Sequence, residues 1–241
     1  MADMKTLLRT LLVMVLGLVV LGTLSACSGG SSTEASSSSS SSSSSAPAPA
    51  PKAATYVADM EADGKKMTIG ISVDGDQIAA YACNGVDDEA WFFGTQTDGK
   101  VDVTNKFRDT LAASFAGSDP TGSDLTGNLV MNGTNYTFTA AAVADPAGVY
   151  TVDLDGIRSS WIVRPDGSVT GVQFNGGITG RDFEQAELQQ LNTAQFQAQV
   201  RNKRVLQQAD QAVSLQNRTL TSKINGRSVT ARTVTGTTRF G

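Results

Sequence analysis

The chain has no histidine. The commonest general base and the commonest metal ligand are therefore missing. Ser-His-Asp and Cys-His catalytic machinery are excluded outright. Cysteine is nearly absent as well, with only Cys27 and Cys83. Cys83 ends the apolar run Ile78-Ala79-Ala80-Tyr81-Ala82-Cys83. With no base to generate a thiolate, it reads as a small buried thiol rather than a nucleophile. Charged residues make up only 17% of the chain and aromatic residues 6%, so its surface must draw largely on Gly, Ser, Thr and Ala. Proline is scarce, and three of the six prolines, Pro47, Pro49 and Pro51, crowd into one short stretch.

What is present begins with a leader. Lys5 and Arg9 precede an apolar run from Leu11 to Leu21, which gives way to the small residues Ser25 and Ala26. That is the pattern of a secretory signal peptide. The run is about half the roughly 20 apolar residues that a membrane span needs. Leu24-Ser25-Ala26-Cys27 resembles the lipobox of bacterial lipoproteins. The resemblance implies cleavage after Ala26 and a diacylglycerol on the Cys27 thiol, with palmitate-type acyl chains anchoring the chain to the extracytoplasmic face of the cell membrane. Two or three such chains hold a protein stably on a bilayer. With Cys27 lipidated, Cys83 has no disulfide partner.

Residues 27–54 read as a lipidated cysteine and tether. The serine run Ser36 to Ser45 has no apolar area to bury, and the Ala-Pro alternation that follows favours extended polyproline geometry. From Thr55 the grammar changes. Short runs rich in Val, Ile, Thr, Tyr and Phe are punctuated by Asp-Gly and Asn-Gly, among them Asp63-Gly64, Asp98-Gly99, Asn132-Gly133 and Asp155-Gly156. These dipeptides supply the positive φ angles of tight hairpins. The pattern predicts strands near residues 56–61, 66–73, 77–83, 90–96, 100–104, 110–116, 125–131, 135–142, 149–154, 160–164 and 169–174. The expected fold is mainly β, an antiparallel barrel or sandwich of hairpins over residues 55–180. A weak repeat links Tyr56 through Asn84-Gly85 with Tyr150 through Asn175-Gly176; it reads either as two three-stranded meanders that face each other in one barrel or as hairpin grammar repeating by itself.

Residues 181–241 read as a helix and basic tail. The stretch from Arg181 to about Gln216 is rich in Gln, Ala, Leu and Glu and has no Gly or Pro, which predicts a long C-terminal helix. Its thin apolar stripe runs Leu188, Leu191, Ala194, Ala198, Val205, Ala209 and Val213. A short, loosely held hairpin is expected around Asn225-Gly226. Charge is divided unevenly. Residues 52–180 carry eight basic and seventeen acidic residues, a balance of −9, whereas residues 181–241 carry nine and four, a balance of +5. The tail is either solvated surface or meets something anionic: a membrane, a wall polymer or the acidic domain itself.

The chemistry available is thin. Asp87-Asp88-Glu89 reads as a solvated acidic turn, since adjacent carboxylates do not give the separation that glycoside hydrolysis needs. Asp119 to Asp124 lacks calcium-loop spacing, so no metal is expected. No phosphate-binding glycine loop, cofactor motif or nucleic-acid-binding pattern is present, and no catalytic residue is assigned. Trp91 and Trp161 are the candidate ligand-binding residues, each with a flat face and an N–H that needs a partner when buried. Ala79-Ala80-Tyr81-Ala82-Cys83-Asn84-Gly85, Glu89-Ala90-Trp91, Gly94 and Trp161-Ile162-Val163-Arg164-Pro165-Asp166-Gly167 resemble a β-rich module of exported actinobacterial proteins. The resemblance covers about residues 56–174 and implies fold and location, not activity. The expected function is a non-catalytic binding or scaffolding module on a lipid anchor, with an envelope protein or wall polymer as partner. Two alternatives stand beside it: an Asp/Glu-dependent envelope hydrolase, and an adaptor that docks through its C-terminal helix.

Overall fold

A computed structural model describes residues 51–115, 124–178, 181–182 and 193–240. Its first sheet is a meander of eight antiparallel strands: β1 (Ala53–Ala62), β2 (Lys65–Asp74), β3 (Gln77–Cys83), β4 (Glu89–Thr97), β5 (Lys100–Thr104), β6 (Thr110–Phe115), β7 (Leu125–Met131) and β8 (Thr134–Val143). β8 pairs back onto β1, Thr55 opposite Val143, and closes the sheet into a barrel. Closure removes both edges. Tight turns carry the predicted dipeptides: Asp63-Gly64, Asp98-Gly99 and Asn132-Gly133 each join strands with both residues at positive φ.

Alternation along the strands decides what fills the barrel. Tyr56, Ile69, Ile71, Ile78, Phe92, Leu111, Leu125, Leu129 and Tyr136 all point inward and are almost fully buried. An eight-stranded barrel is about wide enough for such side chains to occupy its interior.

The second sheet has seven strands in the order β12-β11-β10-β9-β15-β14-β13. They are β9 (Gly148–Leu154), β10 (Ile157–Val163), β11 (Val169–Phe174), β12 (Leu206–Gln208), β13 (Ser214–Gln216), β14 (Thr219–Ile224) and β15 (Arg227–Thr233). One face of this sheet packs on the outer wall of the barrel. Val149, Ile162, Val172 and Val234 meet Ala79, Tyr81 and Cys83 there. This is why β3 reads as a continuous apolar run: both of its faces are buried, as are those of β2, which turns Thr68, Gly70 and Ser72 away from the barrel interior. Gly70 permits the close approach, since a Cβ at that position would overlap the Val149 side chain. The other face curls around a third core of Tyr150, Trp161, Val163, Leu220 and Ala231, which Ala209 helps to cover.

All eleven predicted strands form, and so does the hairpin at Asn225-Gly226, as β14 and β15. Three expectations are corrected. The two repeat meanders do not share one barrel. The first is β1-β2-β3 of the barrel and the second is β9-β10-β11 of the other sheet; they pack back to back, so that Tyr56 points into the barrel interior and Tyr150 into the third core.

The long C-terminal helix is the second correction. Among the described residues, 181–182 and α1 (Thr193–Asn202) are helical, and Leu206–Gln208 and Ser214–Gln216 are strands. Residues 183–192 lie outside the described residues. α1 ends because Lys203 N–H donates to Val200 O and Arg204 N–H to Arg201 O, tightening the last turn. Sheet pairing then takes over, as Val205 N–H donates to Gly176 O and Asn175 N–H to Val205 O. Backbone pairing at the sheet edge outweighs the propensity of a Gln-rich run. The predicted apolar stripe is correspondingly broken. Ala209 is buried beneath the second sheet, while Val205 and Val213 are exposed.

The tail end is the third correction. Residues 234–240 are not loose but lie across the outer wall of the barrel. No helix among the described residues is long and apolar enough to cross a membrane.

Candidate functional site

The inward positions of β3 and β4 are Ala80, Ala82, Ala90 and Phe92, so the alternate residues Tyr81, Glu89, Trp91 and Phe93 face outward. The second sheet covers Tyr81 completely. Trp91 and Phe93 lie near its rim, half-buried, with their rings stacked at 5.6 Å between centroids. Tyr81 packs against Trp91 at 4.5 Å. Glu89 is 2% exposed and takes two partners. Arg158 of β10 reaches it at 2.8 Å, and the Tyr81 hydroxyl donates to it at 3.0 Å. The Arg158 guanidinium also lies over the rings of Trp91, Phe174 and Phe240, 5.0–5.9 Å from their centroids. Stacked aromatics and a fixed cation on one wall form a platform suited to flat or electron-rich groups. Two donors buried in it, Trp91 Nε1 and Arg158 Nε, find no acceptor among the described residues.

Burial sets the ionisation around this wall. It raises the Tyr81 hydroxyl well above its ordinary value, and the neighbouring Cys83 and Glu89 add to the effect. Burial likewise pushes the Cys83 thiol up to about 12. The thiol therefore stays neutral and inert, as its apolar sequence context predicts.

A second polar cluster lies at the barrel end formed by the loops after β3, β5 and β7. Asn84 Oδ1 accepts from the N–H groups of Val86, Asp87 and Asp88, and Asn105 Oδ1 from those of Phe107 and Asp109. The two loops present Asp88 and Asp109 to α1 and the residues just after it. Arg201 forms ionic contacts with Asp109 and, at 3.6 Å, with Asp88. Arg204 reaches Asp88 at 3.2 Å and donates to the Glu89 carbonyl at 2.6 Å. Both guanidinium groups stack over Phe107. Burial raises the Asp88 carboxyl above the usual carboxylate range even though Arg204, Arg201 and Asn132 act in the opposite direction.

The two predicted ligand-binding tryptophans are not brought together. Trp91 stands on the outer wall of the barrel. Trp161 is 1% exposed in the third core, where its Nε1 donates to the Asp210 carbonyl at 3.0 Å. Cys27 lies outside the described residues. Asp87-Asp88-Glu89 is not the solvated turn its composition suggests, because Glu89 and most of Asp88 are buried against arginines. A signal for that was available: Glu89 opens the apolar start of a strand, and Arg201 and Arg204 have no acidic residue within five positions in the sequence. The basic tail meets the acidic domain itself, through Arg201, Arg204, Arg218 with Asp145, and Arg227 with Asp155. The last two pairs are exposed and contribute little.

No protein-family model, no curated protein and no solved structure matches this chain.

Proposed function

We propose that this chain is a lipoprotein anchored at the extracytoplasmic face of the cell membrane, whose β body binds or scaffolds another envelope component without catalysing a reaction. The observation that carries the reading is Leu24-Ser25-Ala26-Cys27 directly behind the apolar run Leu11 to Leu21. The serine-rich and proline-rich tether then leads into β1, which begins at Ala53. Two features of the body support a binding role over an enzymatic one. Side chains fill the barrel interior, so recognition falls to the outer wall. Glu89, Asp88 and Asp109 are each paired with an arginine in structural contacts, which supports a structural rather than an acid–base role for them.

The test is metabolic labelling with a radioactive fatty acid. The wild-type chain takes up label and fractionates with membranes. Cys27→Ala takes up none and accumulates as precursor or is released. An unlabelled wild-type chain refutes the anchor.

A further inference from the structure

After Val234 the chain leaves the sheet and crosses the barrel wall as a strap. Ser72 Oγ donates to the Val234 carbonyl at 2.9 Å. Gly236 then lies flat on the turn between β2 and β3. A Cβ there would sit 2.5 Å from Asp74 N and would overlap the Gln77 carbonyl. Beyond it the strap is held by side chains rather than by a backbone ladder. Arg239 donates to Gln77 Oε1 at 2.7 Å and to the Gly94 carbonyl at 3.3 Å, and lies over the Phe93 ring. Phe240 meets Trp91 and Phe93 edge-on, at 4.7 and 5.3 Å, and the Arg158 guanidinium lies over it. Residues 235–238 form a turn, in which Thr238 N–H donates to the Thr235 carbonyl at 3.0 Å, and the adjacent pair Arg239 and Phe240 that follows it makes the contacts with the wall.

The fit is incomplete in one respect. Trp91 Nε1 and Arg158 Nε are buried in this wall without an acceptor. A buried donor left unpaired costs free energy. A segment with the strap's shape that also brings a carbonyl or carboxylate to these donors would bind the wall better than the strap does.

We propose that the wall around Trp91, Phe93 and Arg158 is a recognition groove for a peptide segment with a basic residue directly before an aromatic one, and that residues 235–240 occupy it in cis. The strap is then a built-in competitor, and the trans ligand is an unstructured segment of an envelope protein. The proposal deepens the binding-module reading and rests on it.

The test uses the full chain in detergent and a fluorescein-labelled peptide, Thr-Gly-Thr-Thr-Arg-Phe, followed by anisotropy. Gly236→Ala lifts the strap without touching the groove. The wild-type chain should bind the peptide at least tenfold more weakly than Gly236→Ala. Adding Trp91→Leu, or replacing the peptide's phenylalanine by alanine, should abolish the gain. Arg239→Ala with Phe240→Ala, which changes only the strap, gives the same release if Gly236→Ala fails to fold, as circular dichroism would show. The proposal is overturned if released chains bind no better than wild type, if binding survives Trp91→Leu, or if sedimentation shows them pairing with a second copy instead. None of these outcomes changes fatty-acid labelling at Cys27, so the groove and the anchor stand or fall separately.

Discussion

Cys83 shows how a single residue ties stability to pH in this protein. Its thiol is fully buried in the seam between barrel and second sheet, and burial moves it from 9.0 to about 12. In the unfolded chain it ionises from about pH 9. Stability from this group is therefore complete below pH 9 and is lost as pH rises from 9 towards 12. The full span corresponds to about 4 kcal/mol, an upper bound. Cys83→Ala should cost about 1 kcal/mol near pH 7.5 through the lost sulfur contacts. The gap to wild type should narrow at pH 9.5 and close or reverse by pH 10.5. Urea midpoints at the three pH values measure this, and a constant gap would exclude the thiol as the source. Tyr81 adds its own alkaline loss in both chains, because its hydroxyl is raised in the same way. The role of Cys83 was legible from its apolar neighbours. The roles of Glu89 and Arg158 were not, because their partnership joins β4 to β10 across 69 positions and no local pattern carries that information. Trp161 as a core residue and Trp91 as a wall residue look alike in sequence, since each lies in a β-patterned run. Only the placement of the second sheet separates them.

Elements were legible where local chemistry and tertiary environment agree. The eleven strands from β1 to β11 follow from alternation and turn dipeptides, both of which act over a few residues. α1 and its sequel were not, because the same Gln-rich composition serves a helix to Asn202 and an edge strand from Leu206. The turn between β13 and β14 was missed for a related reason. Gln216 pairs with Thr219, so Asn217-Arg218 is a two-residue turn, and both residues sit at positive φ, 49° and 60°. Asparagine tolerates that conformation, but arginine is strained in it by about 1–2 kcal/mol. Its ion pair with Asp145 is 3.4 Å long and largely exposed, so it offsets little of the strain. Arg218→Gly relieves the strain while adding freedom to the unfolded chain, which costs about 0.5–1 kcal/mol. The net expectation is a stabilisation of about 0.5–1 kcal/mol, read as a higher urea midpoint with an unchanged m value. A lower midpoint would mean that the Asp145 pair outweighs the backbone term.

At the scale of the whole molecule, the second sheet decides what counts as one folding unit. The composition shift at residue 180 suggests a β domain ending there, but the sheet runs across that position. β9 pairs with β10 on one side and with β15 on the other, and β11 takes β12 as its edge partner. Leu220 and Ala231, together with Ala209, complete the core around Trp161, and the Asp210 carbonyl satisfies its indole N–H. A fragment of residues 55–180 lacks all of these, and also lacks the strap over Trp91 and Phe93. Its barrel retains the closing pair of β1 and β8, so strand content should survive. The third core should not, because a sheet of β9-β10-β11 alone leaves Tyr150, Trp161 and Val163 facing water. The two tryptophans report on the two sides separately. In residues 52–241 carrying Trp91→Phe or Trp161→Phe, fluorescence should lose its buried signature at one urea concentration for both variants, as one cooperative unit requires. In residues 55–180, Trp161 emission should already be red-shifted without urea, and the fragment should bind a hydrophobic dye. Buried Trp161 emission in the shorter fragment, at a midpoint equal to that of 52–241, would show that β12 to β15 and the strap are decoration on an independent body. The cation–aromatic wall would then have to be explained without them.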